Sequence, residues 1–357
     1  CLFLLFKGKD YVDSIVSFFN KAKIKKILKN YIFAVFVFII VSLAIDLYML
    51  NNIPSSADGG NGNKPNVILI SLDSVRADHL SMYGYESQTS PNLDKLSEDS
   101  VVFKNAISPA IWTILVHGGI FSGDYISTFD PEHTNSGLEQ EDRSFVEFLR
   151  INGYNSAGFV WSAWIKNKYG FGQGFNIYKD RMDFLEHELT YDKFSMKGAI
   201  FTFVPGIKKV MDIDTFRSPE EINKEAVKWL EKNKDSSFFL FLHYIGPHVP
   251  YSPSQEFREK FTDDARSYEE LEAAYKKSTS LKRYGNVSED VVGALIGLYD
   301  AEIAELDYNV NIFLEGVKEL GLKDNTIIVI TSDSGEEFYD HGYFKHSRTL
   351  YQEIVHV

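Results

Sequence analysis

Four stretches of the chain are apolar almost without interruption: "NVILISL" (Asn66–Leu72), "SAGFVW" (Ser156–Trp161), "FFLFLHY" (Phe238–Tyr244) and "TIIVITS" (Thr326–Ser332). Short runs that do not alternate with polar residues suit strands of a parallel sheet, which is covered on both faces. Between them the pattern changes to a helical period. "SFVEFLRING" (Ser144–Gly153) opens on a cap-like Ser and closes on Gly. "SPEEINKEAVKWLEKN" (Ser218–Asn233) carries a Ser-Pro-Glu-Glu start signal, and Glu289–Gly321 is long and periodic. Strands alternating with helices predict an α/β domain with a doubly wound, mostly parallel sheet. Ligands in such sheets gather at the carboxyl ends of the strands. Three of the four runs end in reactive side chains: Asp73 after the first, His243 and His248 around the end of the third, Asp333 after the fourth.

One apolar run is of another kind. "YIFAVFVFIIVSLAIDLYML" (Tyr31–Leu50) holds 20 residues and a single charge, Asp46. At about 1.5 Å per residue it matches the roughly 30 Å hydrocarbon layer, so a transmembrane helix is predicted over 31–50. Lys21, Lys23, Lys25, Lys26 and Lys29 precede it, and no basic residue follows before Lys64. The positive-inside rule then makes 1–30 a cytoplasmic basic segment and places everything after Leu50 outside the cell membrane. Residues 51–65, rich in Gly, Ser and Asn, read as a flexible linker. The chain opens on Cys1 and stops inside the β-prone "EIVHV", so the domain at 66–357 is expected to be C-terminally truncated.

Composition narrows the function. The chain of 357 residues is 44% hydrophobic, enough for a large core. Its 37 basic residues against 50 acidic ones leave a net charge of −13, which argues against nucleic acid as a partner. Cys1 is the only cysteine, so neither an intrachain disulfide nor a thiolate metal cluster is available. Metal chemistry must therefore use oxygen and imidazole donors. Asp73 and Asp333 are hard oxygen donors on two strand ends that a parallel sheet brings together. A lone acid after a strand is ordinarily a turn or a helix cap. His243, inside an apolar run, is read as packing in its strand.

The segments "SLDSVRADHLSMYGYESQTSPNLDKLSEDSVVFKNA", "SPAIWTILVHGGIFSG", "FLHYIGPHVPY" and "TSDSGEEFYDHGYFKHS" together resemble the sulfatase family of the alkaline phosphatase superfamily, from about Asn66 to the last residue. The resemblance implies a metal-dependent enzyme acting on a sulfate or phosphate ester. It makes Asp73 and Asp333 the metal-binding acids and Thr113 the nucleophile, at the start of a helix under the metal. His117, four residues on, takes the place where many members have Arg. His248 and His346 match positions that touch the ester group or protonate the leaving oxygen, and His341 lies close to the second of these.

The chain also departs from the family pattern. Sulfatases generate their aldehyde nucleophile from Cys or Ser in a Cys/Ser-x-Pro-x-Arg setting, whereas here Thr113 is followed by Ile114, Leu115, Val116 and His117. A Thr nucleophile resembles the related phosphoethanolamine and phosphoglycerol transferases and nucleotide phosphodiesterases. Ser74 stands where many sulfatases have a further acid, and Ser334 where His or Asn follows the second metal-binding Asp. A donor set of Asp73, Thr113, Asp333 and Ser334 favours Ca²⁺, Mg²⁺ or Mn²⁺ over Zn²⁺. The expected function is ester hydrolysis or transfer by a membrane-anchored enzyme with its catalytic domain outside. Its expected substrate is a lipid, an envelope polymer or a glycan. An inactive sulfatase-like binding protein is the reading from another class.

Overall fold

The computed structural model describes residues 64–125, 137–138, 144–180, 218–279, 287–346 and 348–357. All of them belong to one compact unit, Asp58–Val357. The predicted membrane helix lies outside the described residues. Among the described residues no helix is long and apolar enough to cross a membrane.

Five parallel strands make the sheet: β1 (Asn66–Leu72), β2 (Asn155–Val160), β3 (Ile177–Lys179), β4 (Phe238–Tyr244) and β5 (Thr326–Ser332), in the order β3-β2-β4-β1-β5. β1, β4 and β5 have the limits that the apolar runs predict, and β2 is offset by one residue. β3 is three residues on the sheet edge, inside a glycine- and aromatic-rich loop, and has no apolar run to mark it.

The helices are α1 (Pro91–Ser97), α2 (Thr113–Ser122), α3 (Phe145–Ile151), α4 (Pro219–Asn233), α5 (Gln255–Phe261), α6 (Tyr268–Thr279), α7 (Glu289–Glu319) and α8 (Gln352–Val355). α3 starts as its sequence predicts. The Ser144 side chain accepts from Val146 N–H, and Glu147 reaches back to the Ser144 N–H, which together form a capping box.

Side-chain alternation along β4 explains the layering. Leu240, Leu242 and Tyr244 pack with Ile222 and Leu230 of α4 and with Leu295, Leu298, Tyr299, Val310 and Phe313 of α7. Phe239 and Phe241 pack on the other face with Ile114 and Phe121 of α2 and Val146 of α3. Every residue of β4 is buried, as a central strand between two helical layers requires. Each such Leu or Phe contributes roughly 1.5–3 kcal/mol. His243 belongs to the α2 face by the same alternation. At the opposite edge of the sheet, β5 leaves Ile327 and Val329 about half exposed.

Candidate functional site

The carboxyl ends of β1, β4 and β5 lie side by side, and the polar groups converge there. Asp73 directly follows β1 and is buried. Its N–H donates to the Tyr244 carbonyl at 2.9 Å, which ties the end of β1 to β4. Asp333 directly follows β5, is also buried, and donates its N–H to the Leu72 carbonyl at 3.2 Å. Ser74 lies between the two acids. Its N–H donates to Asp333 Oδ1 at 3.1 Å and its hydroxyl to Asp73 Oδ1 at 2.8 Å. Ser74 has φ of +63°, a left-handed conformation that costs a residue with a side chain on the order of 1–2 kcal/mol.

His243 is the site residue that sequence reading missed. Its Nδ1–H donates to the Trp161 carbonyl at 3.0 Å. That bond fixes the tautomer, so Nε2 carries a lone pair. Nε2 is buried, has no hydrogen-bond partner, and lies 3.7 Å from Asp73 Oδ2. Burial and then the neighbouring His117 push His243 down to about 3, so the ring is neutral. A neutral imidazole held by a carbonyl at one nitrogen and open at the other is how metal-binding histidines are presented. Asp333 Oδ2 and Ser334 Oγ are likewise buried and unpartnered. A signal was present in the sequence: an ionisable side chain at a fully buried strand position costs stability unless something uses it.

Burial, and next the Asp333 carboxylate, push Asp73 up to about 6. Two carboxylates sharing a dry site resist being ionised together, and a divalent cation removes that conflict. Orphaned donors and crowded acids both fit a bound cation. Ligand atoms of His117, His243 and Asp333 lie within 4.8 Å of one another.

His117 sits in that group but is not open in the same way. Its Nδ1–H donates to the Thr113 carbonyl at 2.8 Å, and its Nε2 lies 3.0 Å from the Ser71 hydroxyl. Burial lowers its pKa, so the ring is neutral and Nε2 accepts from Ser71. Both nitrogens are committed. These bonds tether His117 between the first turn of α2 and the end of β1.

Thr113 is the first residue of α2 and is buried; the cap position is Trp112, so the hydroxyl is not spent as a helix cap. The helix start also supplies unpaired N–H groups and the positive end of its dipole.

His248 and His346 arrive from different segments, and their rings meet edge to face at 5.1 Å. His248 donates Nδ1–H to the Val249 carbonyl at 2.7 Å. His346 donates Nδ1–H to Glu336 Oε1 at 2.9 Å, and Glu336 Oε2 accepts from the Tyr251 hydroxyl at 3.1 Å. Burial alone would lower His346. The Glu336 carboxylate outweighs it, with Asp73 and Asp333 adding to the effect, and holds His346 at about 9. His346 is thus an imidazolium at neutral pH. Glu336, fully buried, is the second site residue not foreseen. His341 stands apart: it pairs with Glu353 at 3.2 Å and stacks on Tyr351 at 3.5 Å.

Beside the oxygen donors expected, the candidate site carries an imidazole, His243. Oxygen donors alone suit Ca²⁺ or Mg²⁺, whereas an added imidazole suits Mn²⁺ or Zn²⁺.

The Sulfatase family profile matches residues 65–357. Iduronate 2-sulfatase of Mus musculus is 26% identical over 321 residues, covering 81% of this chain and 58% of that protein. The chain thus spans little more than half of that relative's length. The phosphonate monoester hydrolase of Agrobacterium radiobacter superposes with a TM-score of 0.60 at 21% identity, over 82% of this chain and 67% of that one. The C-terminal periplasmic domain of EcEptC from Escherichia coli, in complex with Zn, gives 0.54 at 15% identity, over 81% and 70%. The integral membrane lipooligosaccharide phosphoethanolamine transferase A of Neisseria meningitidis gives 0.57 at 18% identity, over 90% and 53%. At these identities the structural likeness is one of fold.

Proposed function

Because the chain belongs to the sulfatase family, we propose that it cleaves or transfers a phosphate or sulfate ester, with Thr113 as the nucleophile. The observation that carries this is the meeting of buried, unpartnered atoms: His243 Nε2, Asp333 Oδ2 and Ser334 Oγ. His243 Nε2 faces Asp73 Oδ2 at 3.7 Å and lies with Asp333 within one 4.8 Å group, and Ser334 directly follows Asp333. Asp73, Asp333, His243 and Ser334 would hold a divalent cation, Mn²⁺ or Zn²⁺ before Ca²⁺, and such an ion lowers the pKa of a nearby hydroxyl and offsets the ester's charge.

Thr113 then supplies the attacking oxygen. Its Oγ1 forms a bond to phosphorus as the bond to the leaving oxygen breaks in line, and the hydroxyl proton passes to water. The first N–H groups of α2 are donors for the anionic oxygens of the ester. His346, already protonated, gives its proton to the leaving oxygen, with His248 against its ring. Water or an acceptor hydroxyl next attacks the phospho-threonine and frees Thr113. The same steps at sulfur hydrolyse a sulfate ester, the reading that the family match favours.

The predicted helix at 31–50 would tether the domain to the cell membrane with the site outside. A lipid, envelope polymer or glycan is then the substrate within reach. The test is a trapped intermediate. Protein turning over a bis-aryl phosphodiester with Mn²⁺ or Zn²⁺ is quenched in acid, digested and read by mass spectrometry. A peptide bearing phospho-Thr113 is expected. Turnover that persists in Thr113→Ala would overturn the assignment.

A further inference from the structure

Ser74 hydrogen-bonds both acids of the proposed cation site. Its backbone conformation, φ of +63°, is one in which glycine is free of strain and serine is not. What serine adds is the hydroxyl. That hydroxyl donates to Asp73 Oδ1 at 2.8 Å, while the N–H of the same residue donates to Asp333 Oδ1 at 3.1 Å. One oxygen of each carboxylate is used by Ser74. Asp333 Oδ2 is left buried and unpartnered, and Asp73 Oδ2 is left facing His243 Nε2 at 3.7 Å.

The turn is itself held from behind. Tyr299, in the middle of α7, donates its hydroxyl proton to the Ser74 carbonyl at 2.7 Å and accepts from Arg76 N–H at 2.9 Å. Val75 N–H donates to the Ser332 hydroxyl at 3.0 Å. The long helix and the end of β5 thus both hold this turn.

We propose that Ser74 is a positioning residue: it fixes both carboxylates so that each meets a cation through one oxygen only, and Tyr299 locks it in place. The proposal rests on the reading of this site as a divalent-cation site. It has a consequence for selectivity. Ca²⁺ takes 6–8 oxygens in its coordination shell and often uses carboxylates through both oxygens, whereas smaller ions accept fewer donors. Carboxylates held to one oxygen each disfavour Ca²⁺. Ser74→Gly keeps the backbone conformation without strain, removes the hydroxyl, and frees Asp73 to turn.

The experiment is calorimetric titration of metal-free protein with Mn²⁺ and with Ca²⁺, together with thermal melts before metal is added. For Ser74→Gly the Mn²⁺ affinity is expected to fall about tenfold, the scale for losing a group that orients a ligand. The Mn²⁺ to Ca²⁺ affinity ratio narrows, while the metal-free melting temperature stays level or rises. Tyr299→Phe shifts affinity the same way by a smaller factor and lowers the metal-free melting temperature. If Ser74→Gly keeps both the wild-type Mn²⁺ affinity and the wild-type ratio, Ser74 is only a turn residue and the proposal fails. If the wild-type chain binds neither ion, the reading of the site fails first, and the role of Ser74 falls with it.

Discussion

His79 and His243 are both buried, and each faces an aspartate, but the surroundings differ. His79 Nδ1 is 2.7 Å from Asp300 Oδ1, and the other oxygen of Asp300 accepts from the Tyr85 hydroxyl at 2.8 Å. The rings of His79 and Tyr85 pack at 4.5 Å. That group is closed: both carboxylate oxygens are bonded, and it ties the loop after β1 to α7. His243 and Asp73 are 3.7 Å apart, too far for a hydrogen bond, and the His243 Nε2 lone pair meets nothing. Burial of a histidine beside an aspartate therefore does not mark function. Unpartnered buried atoms that meet at the strand ends, as His243 Nε2 and Asp333 Oδ2 do, point to a ligand more strongly than isolated ones such as Asn309 Oδ1, because a fold leaves each of them so only at a cost.

Substitutions can break this contrast. The largest effect is expected at the proposed nucleophile: Thr113→Ala lowers kcat by roughly 10³-fold or more, with cation binding intact. Ester turnover and calorimetry on the same preparation check both halves.

The two histidines come next. His243→Ala is expected to cost on the order of 100-fold in cation affinity and to abolish the rise in melting temperature that Mn²⁺ or Zn²⁺ gives. His79→Ala is expected to leave that rise in place and to destabilise the protein by roughly 3 kcal/mol, with metal or without, because Asp300 is left buried beside Tyr85 alone. Thermal melts with and without the cation separate the two.

Asp73 sharpens the contrast through pH. Folding raises it from 3.8 to about 6, so the folded state favours its protonated form. The metal-free protein then has this advantage in full below about pH 4 and loses it as pH rises through 6. The loss is on the order of 3 kcal/mol. Asp73→Asn is expected to flatten that loss, making the metal-free protein more stable than wild type at pH 7.5 while destroying cation binding. Urea melts at pH 4.5 and 7.5 measure it.

The smallest effect concerns His346. Its protonated form is held by Glu336, so this ion pair stabilises the fold fully below about pH 6.5 and is lost as pH rises through about 9. In Glu336→Gln burial acts unopposed by that carboxylate, and the titration of His346, followed by NMR, moves down from about 9.

Much of this was legible in the sequence for a physical reason. A strand buried on both faces cannot hide its apolar run, so the limits of β4 show in the sequence; β1 and β5 show too because their runs stay apolar, although β5 leaves Ile327 and Val329 about half exposed. Asp73 and Asp333 stood out because each ends such a run. β3 escaped because three residues on an edge carry no period. His243 escaped because its sequence context, "FFLFLHY", is that of a packed core residue. Only the missing partner of Nε2 sets it apart, and hydrogen-bond partners are a property of the fold. Glu336 was hidden for a similar reason: its work is to hold His346, ten residues on, across a loop. For His117 the spacing shows only part of the arrangement. It does share a helix face with Thr113, but the bonds to the Thr113 carbonyl and Ser71 use both its nitrogens.

In the proposed function Asp73, Asp333 and His243 hold one divalent cation beside Thr113. Anomalous diffraction from crystals of the protein grown with Mn²⁺ tests it most directly. A peak bounded by Asp73 Oδ2, Asp333 Oδ2 and His243 Nε2 is expected. No peak there, or a peak only at surface carboxylates, would contradict it.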